Sequence, residues 1–178
     1  MYREILKFWF GEIEPSQWWK KDENLDRLIA ERFADIHRRA TLCELYEWRK
    51  DAHGRLAEVI VLDQFSRNMF RNSPLCFAQD ALALALAQEA IAVDADKSLS
   101  QTERSFLYMP FMHSESLQIH DIATVLYRAN GNQGSYDFEL KHKAIIARFG
   151  RYPHRNSILG RQSTAEEIEF LKQPGSGF

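Results

Sequence analysis

Apolar residues recur along most of this chain at spacings of three and four, the period of an amphipathic α-helix. Between Leu25 and Ile36 this spacing predicts a helix over 26–39. No stretch alternates apolar with polar residues in the manner of a half-buried strand. The run VIVLD, which starts at Val59, has the composition of a short buried strand, but its continuation into DQFSRNMF at helical spacing favours a helix. The pattern therefore predicts an all-α protein.

Residues that start or stop helices give the boundaries. Ser73-Pro74 is a start signal, Ser100 with Glu103 forms a capping box, and Pro110 interrupts the helix that follows. The remaining signals are a second capping box at Ser163 and Glu166, a loop at Gly131 and Gly134, and a helix end at Gly150. Helices are predicted over 2–10, 26–39, 54–70, 74–93, 100–109, 113–129, 136–149 and 163–172.

Composition narrows the class of protein. With 178 residues, 45% of them hydrophobic, the chain is long enough for one domain, 1–178, with a substantial core. The net charge of −2 argues against general nucleic-acid binding, which needs a basic surface. Cys43 and Cys76 lie in apolar stretches without CxxC spacing, so we expect buried, reduced thiols and a cytoplasmic protein. Charges at positions 3, 4 and 7 and the lack of a long apolar run predict neither secretion nor a membrane span.

Positive charge is concentrated near the C-terminal end, in FGRYPHRNSILGR over 149–161. The wider stretch from Leu140 to Ala165 contains no Asp or Glu. Glycine, proline and asparagine in the segment predict a loop that holds its side chains outward. Such a loop suits an anion, because guanidinium groups donate paired hydrogen bonds to carboxylate and phosphate.

A second polar feature lies on the helix predicted over 54–70. Asp63 and Arg67 are four residues apart and share a face with Val59 and with Phe70 or Arg71. They form either a structural ion pair between helices or, with Arg71, part of the wall of a cleft that also receives the basic loop. Both interpretations hold together if Asp63 orients Arg67.

The segment MPFMHSES supplies a third polar feature. His113 is expected to start a helix, with Glu115 close enough to tune its protonation. His120 lies two turns further on, too far to chelate one ion together with His113, and HExxH is absent, so we predict no metal site. His142 has the position of a core histidine. Nucleotide-binding loops, dinucleotide-binding loops and the GxSxG elbow are also absent, and we predict no cofactor.

Three long segments resemble a known family. RLAEVIVLDQFSRNMFR, ERSFLYMPFMHSE and HKAIIARFGRYPHRNSILGRQSTAEEIEFL are similar, in this order, to the signature segments of the bacterial domain-of-unknown-function family numbered 924. The resemblance implies an all-α fold of stacked antiparallel helix pairs, similar to tetratricopeptide-repeat proteins. It implies no catalytic residues, because no activity is established for the family.

The three segments carry most of the polar candidates: Asp63, Gln64, Arg67 and Arg71; Glu103, Arg104, His113 and Glu115; Arg148, Arg151, His154, Arg155, Asn156 and Arg161. The leading hypothesis is that they line one cleft that binds a small anionic molecule or an acidic peptide end. The candidate anion-binding residues are Arg67, Arg71, Arg148, Arg151, Arg155, Asn156 and Arg161.

Three alternatives stay open. The charges can instead form an internal network in which Asp63, Glu103 and Glu115 neutralise the arginines. The cleft can be the active site of a hydrolase or lyase for an anionic metabolite, with His113 or His154 as general acid or base and Glu115 as its partner. Finally, the chain can be an interaction module that uses aromatic anchors, unless these residues belong to the core: Phe8, Trp9, Phe10, Trp18 and Trp19.

Overall fold

Ten α-helical segments follow one another along residues 1–177, the part of the chain that the computed structural model describes, and no strand lies between them. The prediction of an all-α protein is confirmed. The segments are α1 (Tyr2–Lys7), α2 (Glu23–Thr41), α3 (Ala52–Ile60), α4 (Ser66–Met69), α5 (Asp80–Ala92), α6 (Gln101–Leu107), α7 (Met109–Met112), α8 (Leu117–Asn130), α9 (Gln133–Phe149) and α10 (Ala165–Leu171). Position 178 of the predicted domain 1–178 lies outside the described residues.

The centre of the fold is one continuous helix made of α3, a π-helical turn over Val61–Phe65, and α4. Every residue over 56–66 is buried, although the stretch includes the polar residues Glu58, Asp63 and Gln64, which have partners inside the fold. A π-turn contains one residue more than an α-turn and changes which side chains face the same way. It therefore sets the direction of Asp63 and Gln64, which lie inside it.

Helix α2 packs antiparallel to this central helix. Near its end, Nε2 of His37 lies 2.8 Å from Oγ of Ser66, while near its start Asp26 accepts hydrogen bonds from Arg71. Because the later residue of α2 meets the earlier residue of the partner, the two helices run in opposite directions. Leu25, Ile29 and Phe33 recur every four residues along α2, so they lie on one face of the helix, and this face is buried.

Helix α5 packs antiparallel on another side of the central helix. Its first residue, Asp80, meets Arg67, and Glu89 near its end meets Arg55, with an Nη1–Oε2 distance of 2.7 Å. The stretch Pro74–Ala92 is, by length and composition alone, apolar enough to cross a membrane. The expected lack of a long apolar run is therefore wrong at this stretch. One such helix is weak evidence for a membrane span, so the absence of a span stays a prediction.

Helices α8 and α9 form a tight antiparallel pair. Gly131 ends α8 in the left-handed region, with φ of 76°, where glycine avoids the steric cost of a side chain. Gly134, expected in the same loop, instead lies in the first turn of α9 because Asn132 caps that helix through the Ser135 N–H. His120 on α8 pairs with Glu139 on α9 across the buried face.

Aromatic side chains from the N-terminal segment fill the core beside the central helix. The ring of Phe8 lies 5.1 Å from that of Phe33, and the Trp9 ring lies 5.7 Å from that of Phe65. Phe8 and Trp9 are therefore core residues and not exposed anchors of an interaction module, the other interpretation of the sequence. Trp19 differs, because 66% of it is exposed while its ring stacks on Phe106.

Three predicted boundaries are wrong, by one to six residues. Helix α5 begins at Asp80, because Ser73-Pro74 starts only a short 3-10 turn, Pro74–Cys76. His113 ends α7 and does not start α8, whose first residue is Leu117. The second capping box joins Thr164 to Glu167, one residue later than predicted, and the expected box at Ser100 and Glu103 is confirmed.

The two cysteines are unpaired and lie in different environments. Cys76 is buried, as expected, whereas Cys43 is exposed, in a turn after α2 where its φ is 57°. The prediction that both thiols are buried is therefore wrong for Cys43.

Candidate functional site

Residues from all three resembling segments meet at one place on the side of the central helix. Four of them, together with Asp80, form what we call the polar centre: Asp63, Arg67, Asp80, His113 and Arg155. Asp63 comes from the π-turn, Arg67 from α4, Asp80 from the start of α5, His113 from the end of α7, and Arg155 from a 3-10 turn, Pro153–Arg155. Four sequence-distant segments are thus brought together by the packing of α5 on the central helix and of α7 on α5.

Asp63 is the buried base of the polar centre. Its Oδ1 lies 2.7 Å from Nδ1 of His113 and 3.1 Å from Nη1 of Arg67, and its Oδ2 accepts a hydrogen bond from Gln64. Burial acts to raise the pKa of this carboxyl, but the charge of Arg67 and the contact with His113 outweigh burial and hold the pKa well below its ordinary value. Asp63 is therefore ionised at neutral pH.

His113 faces Asp63 as a neutral ring with a defined tautomer. Burial and the neighbouring charge of Arg67 lower its pKa against the opposing effect of Asp63, so the ring is unprotonated at neutral pH. Since Nδ1 donates to Asp63, Nε2 carries the lone pair. Within residues 1–177, Nε2 has no hydrogen-bond partner. The sequence predicted Glu115 as the carboxylate beside His113, and the structure replaces it with Asp63.

Arg67 and Arg155 both bind the carboxylate of Asp80. Arg67 donates to its two oxygens at 2.9 and 3.0 Å, and Arg155 donates to Oδ2 at 3.1 Å. Asp80 was not among the predicted site residues, because the sequence placed it inside a longer helix. A signal was present, since Asp80 is the single charged residue between Arg71 and Glu89. Its side chain is 18% exposed and lies, together with that of Arg67, at the more exposed edge of the polar centre.

Arg155 is almost fully enclosed. Only 6% of it is exposed, and its guanidinium lies between the rings of Phe77, at 4.5 Å, and Tyr152, at 4.6 Å. Nη2 donates to the carbonyl oxygen of His113 at 2.9 Å, while Nε is buried without a partner among the described residues. Burial and the charge of Arg67 lower the pKa of Arg155 from its ordinary value. Its charge is thus less compensated than that of an arginine with its own carboxylate.

The other predicted arginines each have their own carboxylate. Arg71 binds Asp26, Arg148 binds Glu166, Arg151 binds Glu167, and Arg161 binds Glu115, with shortest N–O distances between 2.6 and 2.8 Å. Three of these pairs use two parallel hydrogen bonds; Arg148 is the exposed exception. These four arginines are therefore neutralised inside the fold and lie outside the polar centre.

Asn156 ties the basic loop together. Its Oδ1 accepts a hydrogen bond from Arg161, and its Nδ2 donates to Ser163 and, at 3.3 Å, to Glu167. Glu115 reaches the same loop, since it also accepts the backbone N–H of Tyr152 at 2.7 Å. The FGRYPHRNSILGR loop is thus fixed by internal pairs.

His154 occupies a different position from His113. Its ring lies 5.4 Å from that of Tyr152, the ring that also covers Arg155. Burial, supported by the charge of Arg155, lowers the pKa of His154 to about 4. Glu103 and Arg104 lie away from the polar centre: Glu103 caps α6, and Arg104 donates to Asn130.

A second buried histidine, His120, contacts Tyr152. Nδ1 of His120 lies 2.8 Å from Glu139, and its Nε2 lies 2.9 Å from the carbonyl oxygen of Ser114 and 3.2 Å from the hydroxyl of Tyr152. Burial raises the pKa of Glu139. Across residues 1–177, no group of three or more His, Cys, Asp or Glu side chains is arranged to hold a metal ion.

Comparison with known proteins gives consistent matches. A family model described as bacterial protein of unknown function (DUF924) matches residues 5–175. Among solved structures, the protein of unknown function ATU0120 from Agrobacterium tumefaciens is 37% identical, with a TM-score of 0.91 and 96% of each chain covered. A comparison with curated proteins gives no match.

Proposed function

The chain belongs to the bacterial family of proteins of unknown function DUF924, and we propose that this member binds a small anionic molecule, or the acidic end of a peptide, at the polar centre. The observation that carries the proposal is the sharing of Asp80 by Arg67 and Arg155. Buried arginines are stable when each has a matching anion. Arg67 also pairs with Asp63, whereas the one carboxylate that Arg155 contacts among the described residues is that of Asp80, which it shares with Arg67.

Asp80 indicates where the ligand binds. Its carboxylate lies, together with Arg67, at the more exposed edge of the centre and accepts hydrogen bonds from both arginines, the geometry that a ligand carboxylate or phosphate needs. A ligand that has a higher negative charge or more acceptor oxygens than a carboxylate displaces the Asp80 side chain. Such a ligand also forms more hydrogen bonds with Arg155 than Asp80 does. Asp80 is then a resident carboxylate that neutralises the site when no ligand is bound.

Titration with simple anions at constant ionic strength tests the proposal. We expect succinate or inorganic phosphate to raise the melting temperature of the wild type and to give a saturable signal in calorimetry. Asp80→Asn removes the resident carboxylate and should strengthen binding about tenfold, whereas Arg155→Gln should abolish it. A short peptide with a free C-terminal carboxylate, compared with its amide, tests the peptide-end alternative.

Arg148→Gln is the matched control, since Arg148 is an exposed arginine of the same loop region with its own carboxylate. Its anion affinity should equal that of the wild type. A purely structural network gives a different pattern: Asp80→Asn loses stability, and no anion restores it. That pattern would leave the internal network as the correct interpretation.

A second candidate function is acid–base catalysis on a bound anion, and it is favoured by the Asp63–His113 pair. A neutral imidazole whose Nδ1 is held by a buried carboxylate presents Nε2 as a general base, the arrangement found in many hydrolases. Arg67 and Arg155 would stabilise negative charge in the transition state. In this version, a hydrolase or lyase uses His113 with Asp63 rather than with Glu115.

Incubation with a panel of anionic metabolites, followed by mass spectrometry, separates the two candidates. His113→Gln should leave succinate binding within a small factor of wild type and abolish any turnover. If the wild type consumes no member of the panel while binding persists, the binding function stands and the catalytic one does not.

The proposal includes two further expectations, a tetratricopeptide-like arrangement of the helices and a cytoplasmic location. The antiparallel packing of α2, the central helix, α5 and the α8–α9 pair supports a tetratricopeptide-like arrangement, which requires successive pairs related by a constant rotation. The unpaired cysteines support a cytoplasmic location, which fractionation of cells that produce the tagged protein tests.

A further inference from the structure

A concave site lies next to the segment that leads into α5, and its lining includes none of the five residues of the polar centre. It is a groove of about 310 Å³ between α2 and the stretch from α4 to the start of α5. Its wall is mainly apolar, formed by Ala34, Met69, Phe70, Leu75 and Ala78, and His37 lies in the same wall. None of these six residues belongs to the polar centre.

His37 is the polar residue of this groove that has one ring nitrogen without a hydrogen-bond partner within the fold. Its residue is 7% exposed, and Nε2 lies 2.8 Å from Oγ of Ser66. The Ser66 hydroxyl donates its proton to the carbonyl oxygen of Leu62, at 2.6 Å, so Oγ accepts from His37 and Nε2 carries the hydrogen. Nδ1 is then an acceptor, and no atom of residues 1–177 donates to it.

The chemistry of the groove selects its occupant. The His37 ring is uncharged at neutral pH, because burial lowers its pKa, and the Nδ1 acceptor needs a neutral N–H or O–H donor. Arg38 at the rim disfavours a cation. The ring of Phe70 meets His37 edge-on at 5.3 Å, so the acceptor lies beside an aromatic ring, and aromatic rings form favourable contacts with one another.

We propose that this groove binds a small, uncharged aromatic molecule that donates one N–H or O–H hydrogen bond to Nδ1 of His37. The groove volume, about 310 Å³, lies at the lower end of the range of small-molecule sites, about 300–1,000 Å³, so a molecule of one or two rings fits it. Indole and phenols have that size and that donor. The site is independent of the anion-binding proposal, because no charged group of the polar centre contributes to it.

The test uses the full chain, labelled with ¹⁵N and titrated with indole. We expect saturable shifts confined to the groove residues, with a dissociation constant of about 1 mM or tighter, and a change in the ¹⁵N signal of His37 Nδ1. Benzothiophene has the same shape without the N–H donor and should bind at least about tenfold more weakly.

Ala34→Leu fills the groove and should abolish indole binding, while Ala129→Leu, the same substitution on an exposed position of α8, should leave it unchanged. Circular dichroism confirms that both variants fold. Three results overturn the proposal: indole produces no saturable shifts, benzothiophene binds equally well, or Ala34→Leu binds indole as the wild type does. If Ala34→Leu fails to fold, His37→Phe provides the same test, because it removes the acceptor while it keeps a ring.

Discussion

Nδ1 of His113 lies 2.7 Å from Oδ1 of Asp63, although the two residues are fifty positions apart in the chain. Asp63 fixes the tautomer of the imidazole, and His113 in turn helps to keep the buried carboxylate ionised. The pair joins the π-turn of the central helix to the end of α7. It therefore couples the fold of the protein to the chemistry of the polar centre.

Replacement of Asp63 by Ala should be strongly destabilising. The change leaves Arg67 and His113 without their buried partner, and breaking such a pair from one side costs about 3–5 kcal/mol in the free energy of unfolding. Urea denaturation measures the difference. Glu166→Ala, which breaks an exposed pair with Arg148, is the control and should cost less than about 1 kcal/mol. Equal losses in the two variants would contradict the burial argument.

Anion binding at the polar centre should strengthen as pH falls through the range around and below 6.5. The pKa of His113 is lowered in the protein without ligand, so the ring is neutral, and a bound anion favours its protonated form. The complex then binds more protons than the unliganded protein, and the affinity rises with acidity until His113 is protonated in both. Asp63 remains ionised and Arg67 charged throughout.

Calorimetry with sulfate measures this effect, because sulfate keeps its charge across the range. We expect proton uptake on binding, seen as a dependence of the heat on the buffer, and His113→Gln should remove it. His53→Gln, at an exposed histidine, is the control. Protonation of His154 does not contribute to the measured proton uptake above pH 5, since the pKa of His154 is about 4. An affinity without pH dependence in the wild type would exclude His113 from the site.

The helices were predictable because their signals are local. Apolar spacing over 26–39 indicates α2, and the box at Ser100 and Glu103 predicts the start of α6, because each depends on residues within a turn or two. The π-turn at Val61–Phe65 was not predictable. It shifts the register by one residue within a stretch that is buried on all sides, so apolar periodicity contains no mark of it.

The candidate site was predicted in part. Arg67, His113 and Arg155 were named from their segments, and they do meet. The pairing of Asp63 with Arg67 was expected from their spacing and is present, at 3.1 Å. The other partners were missed or misassigned for a physical reason: Asp63 reaches His113, and Asp80 reaches Arg155, only through the packing of distant helices. Nearest sequence neighbours, such as Glu115 for His113, are a poor guide when the backbone turns between them, as it does here at the end of α7.

The N-terminal aromatic residues should differ sharply in their contribution to stability. Trp9 is 1% exposed and packs against Phe65 and Phe106, so Trp9→Ala should cost about 3–5 kcal/mol. Trp19→Ala removes a mostly exposed ring that stacks on Phe106 and should cost about 1 kcal/mol or less. Thermal or urea unfolding of both variants tests the distinction. A large loss at Trp19 would mean that its stacking on Phe106 is a core contact.

Acid should weaken the protein through Glu167, which fixes the basic loop. Hydrogen bonds from Arg151 lower the pKa of Glu167 from 4.5 to about 2 against the opposing effect of burial, and bonds from Thr164 and Asn156 add to them. The folded state therefore binds this proton less readily than the unfolded state does. The stabilising contribution is fully present above pH 4.5 and is lost as pH falls toward 2.

Urea unfolding at a series of pH values between 2 and 6 measures that loss. Glu167→Gln should already be destabilised at pH 6, because Arg151 loses its charged partner, and its stability should fall less steeply with acid than that of the wild type. Glu169→Gln is the control, since Glu169 is an exposed carboxylate of the same helix, and it should keep the wild-type slope. Parallel curves for the wild type and Glu167→Gln would show that the acid sensitivity arises elsewhere, with Asp63 the next residue to replace.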